Sequence, residues 1–368
     1  MSFEVFSNSA RKGHEQVVFC CDDAVGLKAI IAIHNTTLGP ALGGCRMFPY
    51  ESEADALRDV LRLSRGMTYK AAMAGLDLGG GKAVTIGDPK TQKNEGLMRS
   101  FGQFVGSLGG RYITAEDSGT NVFDMETIRQ ETKWVTGVAK YHGSGDPSPV
   151  TAWGVFHGIR ACVLDTLEQD NLNGIRVGIQ GVGNVGRSLT EYLVKAGAKV
   201  VVADIDEDRC AQMAEKWGAS VVGVDDIWDQ DVDVLAPCAM GGVVNDDTIG
   251  RITARIIAGA ANNILENEER HASALNEKGI LYAPDYVVNA GGLINVYTEL
   301  THAPLEKGMN DAEGIYGRLM QVFKVARDKG ITTVEASNQV AEERIVTLGR
   351  LKQFQQVGEL VPARRVYF

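Results

Sequence analysis

The sequence predicts an α/β protein of two domains. Three observations carry that reading. The chain has 368 residues, long for a single hydrophobic core. From about residue 150 to about 290, β and α segments alternate, the pattern of a parallel sheet with helical crossovers. Between an apolar strand and a helix stands QGVGNVG, a glycine-rich turn with Gly181, Gly183 and Gly186 in G-x-G-x-x-G spacing.

The elements read in order as follows. Residues 17–34 form two strands around a polar turn. Residues 52–67 form a helix, with Ser52 as N-cap and Asp55 three residues on; Ala56, Leu57, Val60, Leu61 and Leu63 keep a helical spacing. LGGGK reads as a loop, followed by a strand over 83–86, a helix over about 95–108 and a short strand over 111–114 that runs into AEDSGT. GSGDPSPVT, rich in Gly, Ser and Pro, reads as a linker or hinge. Beyond it come a helix from TAWGV to DTL, the strand RVGIQ, the helix NVGRSLTEYLVKAG and the strand KVVVAD. Residues from about 310 to 355 read as largely helical. The expected division is a first domain over 1–147, completed by C-terminal helices over 331–368, and a nucleotide-binding domain over 148–330.

Composition excludes several classes. Hydrophobic residues make up 44% of the chain and the net charge is −10, with no basic stripe, so a nucleic-acid partner is not expected. No apolar run approaches the roughly 20 residues of a membrane helix. The start, MSFEVFSNSARKGHEQ, lacks the apolar core of a secretory signal, so a cytoplasmic location is expected. Six cysteines and six histidines are scattered without metal-ligand spacing, which points to reduced thiols and no metal.

The glycine turn has the context that gives such a motif meaning. The strand Val177–Ile179 precedes it, a helix follows, and Asp204 ends the next strand. This is a Rossmann fingerprint. Gly181 permits the tight turn, Gly183 admits the pyrophosphate and Gly186 allows close helix packing, with Val182, Asn184 and Val185 completing the loop. Asp204 can accept from the ribose hydroxyls, with Ile205 beside it, and would repel a 2′-phosphate. NAD is therefore expected over NADP, and a mid-chain fingerprint favours a nicotinamide nucleotide over FAD.

The N-terminal half supplies Lys70 in GMTYK, Lys82 in GGGK and Asp117 in AEDSG. LDLGGGKA is not a phosphate loop, because Leu76 stands where its first Gly belongs and Ala83 where Ser or Thr should follow the Lys. A Lys crowded by backbone and poorly solvated can lose its proton near neutral pH and act as a base. Two lysines and a carboxylate suit an amino acid substrate. One cation binds the α-carboxylate, and the other lysine and the Asp manage protons.

These segments, with GPALGGCRM (39–47), DPSPVTAWGV (146–155), APCAMGG (236–242), GAANN (259–263) and APDYVVNAGGLINV (283–296), make the chain resemble the Glu/Leu/Phe/Val dehydrogenases over nearly its whole length. The resemblance implies reversible, NAD-dependent oxidative deamination of an L-amino acid to a 2-oxo acid and ammonia, in a cleft that closes about the DPSPV segment, by a homo-oligomer, commonly a dimer or octamer. It assigns Lys82 as the catalytic base, Asp117 as proton shuttle and Lys70 as the carboxylate ligand, with Asn289 near the same group and Gly43 and Gly44 in the substrate site. Ser148, Thr151, Cys238, Ala239, Ala260, Asn262 and Asn263 match positions around the nicotinamide end. Leu42, Ala115, Leu293 and Val296 should line the side-chain pocket. All four are apolar, so glutamate is not expected. Leu42 and Ala115 agree with a leucine-type pocket. Leucine dehydrogenases usually carry Val at the position of Leu293, where the added methylene would narrow the pocket toward valine or reshape it for an aromatic. One methylene discriminates by only about 1–3 kcal/mol, so broad branched-chain activity is expected, with phenylalanine or tryptophan as the rival. Two readings from other classes are an inactive binding protein on the same fold and a hydroxy-acid dehydrogenase. The second would need a His–carboxylate pair and an Arg clamp, and no His stands in a comparable loop.

Overall fold

The computed structural model describes residues 13–138 and 146–355. The chain forms two compact units. One comprises Met1–Gly145, Val296–Ala303 and Ala341–Phe368; the other comprises Asp146–Asn295 and Pro304–Val340.

The first unit is built on a five-stranded mixed sheet in the order β1-β2-β4-β3-β5. β1 (Gln16–Asp22) and β2 (Leu27–Asn35) pair antiparallel, as do β2 and β4 (Gly79–Ile86). β3 (Ala41–Phe48) runs parallel to β4 and to β5 (Tyr112–Glu116). One face packs on Leu97, Met98, Phe101 and Val105 of the helix Glu95–Ser107. The other packs Ile30, Ala32 and Val84 on Ala56, Leu57, Val60 and Leu61 of the helix Glu53–Met73. That helix starts where expected: the Ser52 side chain accepts from the Asp55 amide.

The second unit holds six parallel strands in the order β11-β10-β9-β6-β7-β8. They are β6 (Arg176–Gln180), β7 (Lys199–Ala203), β8 (Ser220–Val221), β9 (Val234–Pro237), β10 (Ile256–Ile257) and β11 (Leu281–Tyr282). Counted from β6, the order is 3-2-1-4-5-6, the doubly wound dinucleotide-binding topology. The alternation in the sequence fixes this, because each crossover helix must cover a sheet face.

Three expectations need correction. Gly79–Gly81 form no loop, since all three glycines lie inside β4, as does Lys82. They are there because neighbours come too close for a side chain. A Cβ on Gly80 would lie 2.1 Å from the Thr68 amide nitrogen of the packed helix, and one on Gly81 would lie 2.7 Å from the Tyr112 ring. β3 was missed because its two central glycines imitate a turn. The linker read over GSGDPSPVT contains the division between the units, at Gly145 and Asp146. Residues 143–145 lie outside the described residues, but Ser148 already opens the helix Ser148–Leu167, whose first turn holds a proline that needs no amide donor. The return to the first unit falls not at 331 but at Ala341, inside the helix Thr333–Gln355, and Val296–Ala303 joins that unit as well. Hydrogen bonds account for the split. The Tyr286 hydroxyl bonds to Ser337 and Asn338 in the second unit, while in the first Tyr69 donates to Glu342 and Arg344 to the Leu76 carbonyl. Thr136 and the Gly137 amide both donate to Glu299.

Candidate active site

In the first unit the strand register gathers the site. Leu42 of β3 pairs with Gly80 of β4 and Ile113 of β5, and Gly44 pairs with Ala115. Paired residues share a face, and faces alternate along each strand. Leu42, Gly44, Arg46, Gly80, Lys82 and Ala115 therefore lie on one side of the sheet, the side covered by the helix Glu53–Met73. Lys70 sits in the last turn of that helix. Leu42 is buried and Ala115 half-buried.

Lys82 is only 5% exposed, and its Nζ donates to Asp117 Oδ2. Burial pulls the ammonium down from 10.5 to about 7, and Arg46 and Lys70 push the same way. The Asp117 carboxylate at contact works in the opposite direction. Asp117 lies just beyond β5 in a turn built to hold it. Its amide donates to Thr120 Oγ1 (2.9 Å), that hydroxyl reaches the Cys45 carbonyl (2.8 Å), and Oδ1 accepts from the Ser118 amide (2.6 Å). A Cβ on Gly44 would lie 2.9 Å from the Asp117 Cβ and 2.4 Å from the Glu116 carbonyl, so only glycine lets the turn sit here. Arg46 Nε donates to Asp117 Oδ1 (3.2 Å) and Nη1 to Asp59 Oδ2 (2.9 Å). A near-neutral amine beside a fixed carboxylate can take a proton from water or from an ammonium and pass it on.

In the second unit the glycine turn has the geometry a dinucleotide needs. Gly181 has φ +98°, which other residues rarely adopt, and a Cβ there would lie 2.6 Å from the Ala239 Cβ. On Gly186 a Cβ would lie 2.0 Å from the Gly181 carbonyl oxygen, whereas on Gly183 it meets nothing within 4 Å. The open side of the turn is therefore at Gly183. Gly183 is also the N-cap of the helix Asn184–Lys195 and has no side chain to satisfy the first amides, which remain available to phosphate. Asp204 directly follows β7. It accepts from the Val182 amide (2.7 Å) and the Asp206 amide (2.9 Å), one on each oxygen, leaving lone pairs for ribose hydroxyls. Ile205 is 90% exposed beside it. These residues fit a bound dinucleotide.

The loops expected at the nicotinamide end are packed together. The Cys238 amide donates to the Gln180 carbonyl (2.7 Å) and carries Ala239 against Gly181. Asn289 Nδ2 donates to the Ala260 and Ala261 carbonyls (3.1 and 3.3 Å) and to Asn262 Oδ1 (2.9 Å). Its amide group thus braces the loop over 260–262. Asn263 has φ +51°, and its carbonyl accepts from the Gly242 amide (2.7 Å). Ser148 and Thr151 are buried at the start of their helix, where Thr151 Oγ1 donates to the Pro147 carbonyl (2.9 Å). Leu293 is buried and Val296 half-buried in the helix Gly291–Leu300, which passes from the second unit to the first.

Sequence reasoning missed Arg46, Asp59 and Thr120. Arg46 had a readable signal, since it stands two residues from Gly44 and four from Leu42. Reading β3 as a strand would have put all three on one face.

A doubly wound dinucleotide fold, together with a buried lysine–carboxylate pair on a separate sheet, defines a nicotinamide-dependent amino acid dehydrogenase. The comparisons with known proteins agree. The model for the Glu/Leu/Phe/Val dehydrogenase dimerisation domain matches residues 14–134, and that for glutamate/leucine/phenylalanine/valine dehydrogenase matches 143–208 and 206–362. The chain is 50% identical over 364 residues to the leucine dehydrogenase of Bacillus subtilis (strain 168), covering 98% of this chain and 100% of that one. It is 50% identical over 353 residues to the phenylalanine dehydrogenase of Thermoactinomyces intermedius, covering 95% and 96%. The crystal structure of L-tryptophan dehydrogenase from Nostoc punctiforme superposes with a TM-score of 0.87 at 46% identity, covering 94% of this chain and 99% of that one. The chain belongs to the Glu/Leu/Phe/Val dehydrogenase family.

Proposed function

We propose that the protein catalyses the reversible, NAD-dependent oxidative deamination of branched-chain L-amino acids, leucine foremost, to the 2-oxo acid and ammonia. The observation that carries the reading is the buried Lys82 amine in contact with Asp117, on the sheet face that also holds Leu42 and Ala115. Lys70 binds the substrate α-carboxylate. The apolar Leu42, Ala115, Leu293 and Val296 receive the side chain, and none of them could hold a γ-carboxylate. Gly43 and Gly44 keep the strand free of side chains beside the substrate, and Asn289 orients it through the loop it braces.

When bound, the nicotinamide ring accepts a hydride at C4. Gly181–Gly186 with the first turn of their helix hold the pyrophosphate, and Asp204 and Ile205 the adenosine end. Ser148, Thr151, Cys238, Ala239, Ala260, Asn262 and Asn263 surround the nicotinamide end. Once the substrate ammonium has lost a proton, through Asp117 to solvent, the hydride leaves Cα with its electron pair. The nitrogen lone pair forms the new C=N bond, and Cα becomes the carbon of an iminium. Neutral Lys82 takes a proton from water as the oxygen adds to that carbon. Asp117 relays that proton from Lys82 to the nitrogen, and ammonia departs as the C–N bond breaks. The hydroxyl proton passes to the freed Lys82 amine as the carbonyl forms. Positioning and a water-poor site supply much of the rate.

The dimerisation-domain match supports a homo-oligomeric enzyme, and a cytoplasmic one is proposed. No described helix is long and apolar enough to cross a membrane. Aromatic substrates are the second reading, favoured by the phenylalanine and tryptophan dehydrogenases at similar identity and by the extra methylene of Leu293. One methylene separates substrates by only about 1–3 kcal/mol. The test is the initial rate of reduced-cofactor formation at alkaline pH with L-Leu, L-Val, L-Ile, L-Phe, L-Trp, L-Glu and L-lactate, with NAD and with NADP. Highest kcat/KM for L-Leu with NAD is expected. A lead for L-Phe or L-Trp transfers the reading to aromatic substrates, and activity on L-lactate alone overturns it.

A further inference from the structure

Behind Asp117 lies a second carboxylate that the reaction does not use. Asp59, in the helix Glu53–Met73, accepts from the Tyr50 hydroxyl (2.8 Å), Arg62 (3.0 Å) and Arg46 (2.9 Å). Burial works to raise its carboxyl, but those three donors outweigh it and hold the group below the usual carboxylate range. Asp59 is therefore an anion throughout the working pH range. Its charge fixes the guanidinium of Arg46, whose Nε reaches Asp117 from the same planar fork.

We propose that Arg46 is a positioning residue for the reaction: its guanidinium, anchored by Asp59, holds Asp117 aimed at Lys82. The inference rests on the dehydrogenase reading above. Two consequences follow from the geometry. One Asp117 oxygen is taken by Arg46 and the Ser118 amide, so the other is left to Lys82. A rigid fork at Asp117 also prevents the carboxylate from rotating when Lys82 loses its proton and with it part of their attraction. Arg46 carries a positive charge toward Lys82 and so favours the neutral amine. The other charged and titratable groups acting on that amine are Lys70, which favours the same form, and Asp117 at contact, Asp59 and the buried Cys45, which oppose it.

The test compares wild type with Arg46→Met, Arg46→Lys and Asp59→Asn, measuring kcat and KM for L-Leu across pH, NADH binding by fluorescence and thermal denaturation. Arg46→Met is expected to lower kcat about 100-fold, the cost of a misplaced catalytic group, with KM changed far less. The apparent pKa of its ascending limb should move up, because a cation that disfavoured the Lys82 ammonium is gone. Arg46→Lys keeps the charge but not the fork, so it should restore the limb toward wild type and leave kcat reduced. Asp59→Asn should give an intermediate loss. An Arg46→Met enzyme with wild-type kcat and pH profile overturns the proposal. If that variant does not fold, Arg46→Lys decides, and wild-type turnover there overturns it equally. A loss confined to KM would make Arg46 a substrate ligand and also overturn it. A wild type without amino acid turnover would instead sink the dehydrogenase reading.

Discussion

At the scale of single residues, Lys82 sets the pH dependence. Its amine is pulled down to about 7, chiefly by burial. With the neutral form as the proposed base, kcat/KM for deamination should rise with pH through about 7 and level off above it. The sign follows from the base being inactive when protonated. A profile that falls over this range would rule out Lys82 as the base. Lys82→Ala should lower kcat by about 10²- to 10⁴-fold, the usual contribution of a positioned base, with NADH binding intact. Turnover equal to wild type would remove Lys82 from the mechanism. Lys82 and Asp117, which the structure brings into contact, were singled out in the sequence with Lys70 because chemistry restricts which residues can serve a carboxylate and a proton. Arg46 and Asp59 were not. Their importance lies in a bridge between a strand and a helix, and nothing in the local spacing of either segment reveals the other.

At the scale of elements, β4 shows how a sequence can mislead and why. Three successive glycines normally mark a turn, but here each is demanded by a neighbour. Gly80 sits where the helix Glu53–Met73 crosses the sheet, against the Thr68 backbone. That close approach keeps Lys70, in the last turn of the helix, on the face that holds Lys82. Gly80→Ala must push helix and strand apart, an overpacking that costs about 1–3 kcal/mol or more. The thermal midpoint should fall, and KM for the amino acid should rise because Lys70 moves with its helix. A variant with unchanged melting and unchanged KM would show that this contact does not place Lys70. The glycine turn after β6 behaved otherwise. A fingerprint with its strand, helix and terminal Asp204 is a complete local program, so its geometry follows from the sequence without knowledge of the rest of the fold. β3 had no such program, because its glycines answer to Gly81 and Glu116 rather than to their own chain neighbours.

At the scale of the whole molecule, the first unit is assembled from three stretches of chain. Its sheet is complete by Glu116, yet Tyr69 in the helix bearing Lys70 is held by Glu342, and Arg344 reaches Leu76 just before β4. These contacts span more than 260 residues in sequence, and no periodicity announces them. They are why the boundary read from composition fell ten residues short of Ala341. The last turns of that helix and the β4 entry should therefore depend on the C-terminal segment, whereas the dinucleotide cradle, formed wholly within Asp146–Asn295 and Pro304–Val340, should not. Glu342→Ala combined with Arg344→Ala is expected to raise KM for the amino acid several-fold while leaving the NADH dissociation constant near that of wild type. The direction is set by which unit the broken bonds belong to. Tyr69 lies one residue from Lys70, so loosening its hydroxyl loosens the proposed carboxylate ligand first. Fluorescence titration with NADH and initial-rate kinetics on the same preparation separate the two effects. Equal weakening of both ligands would mean that these two side chains stabilise the chain as a whole rather than the substrate half.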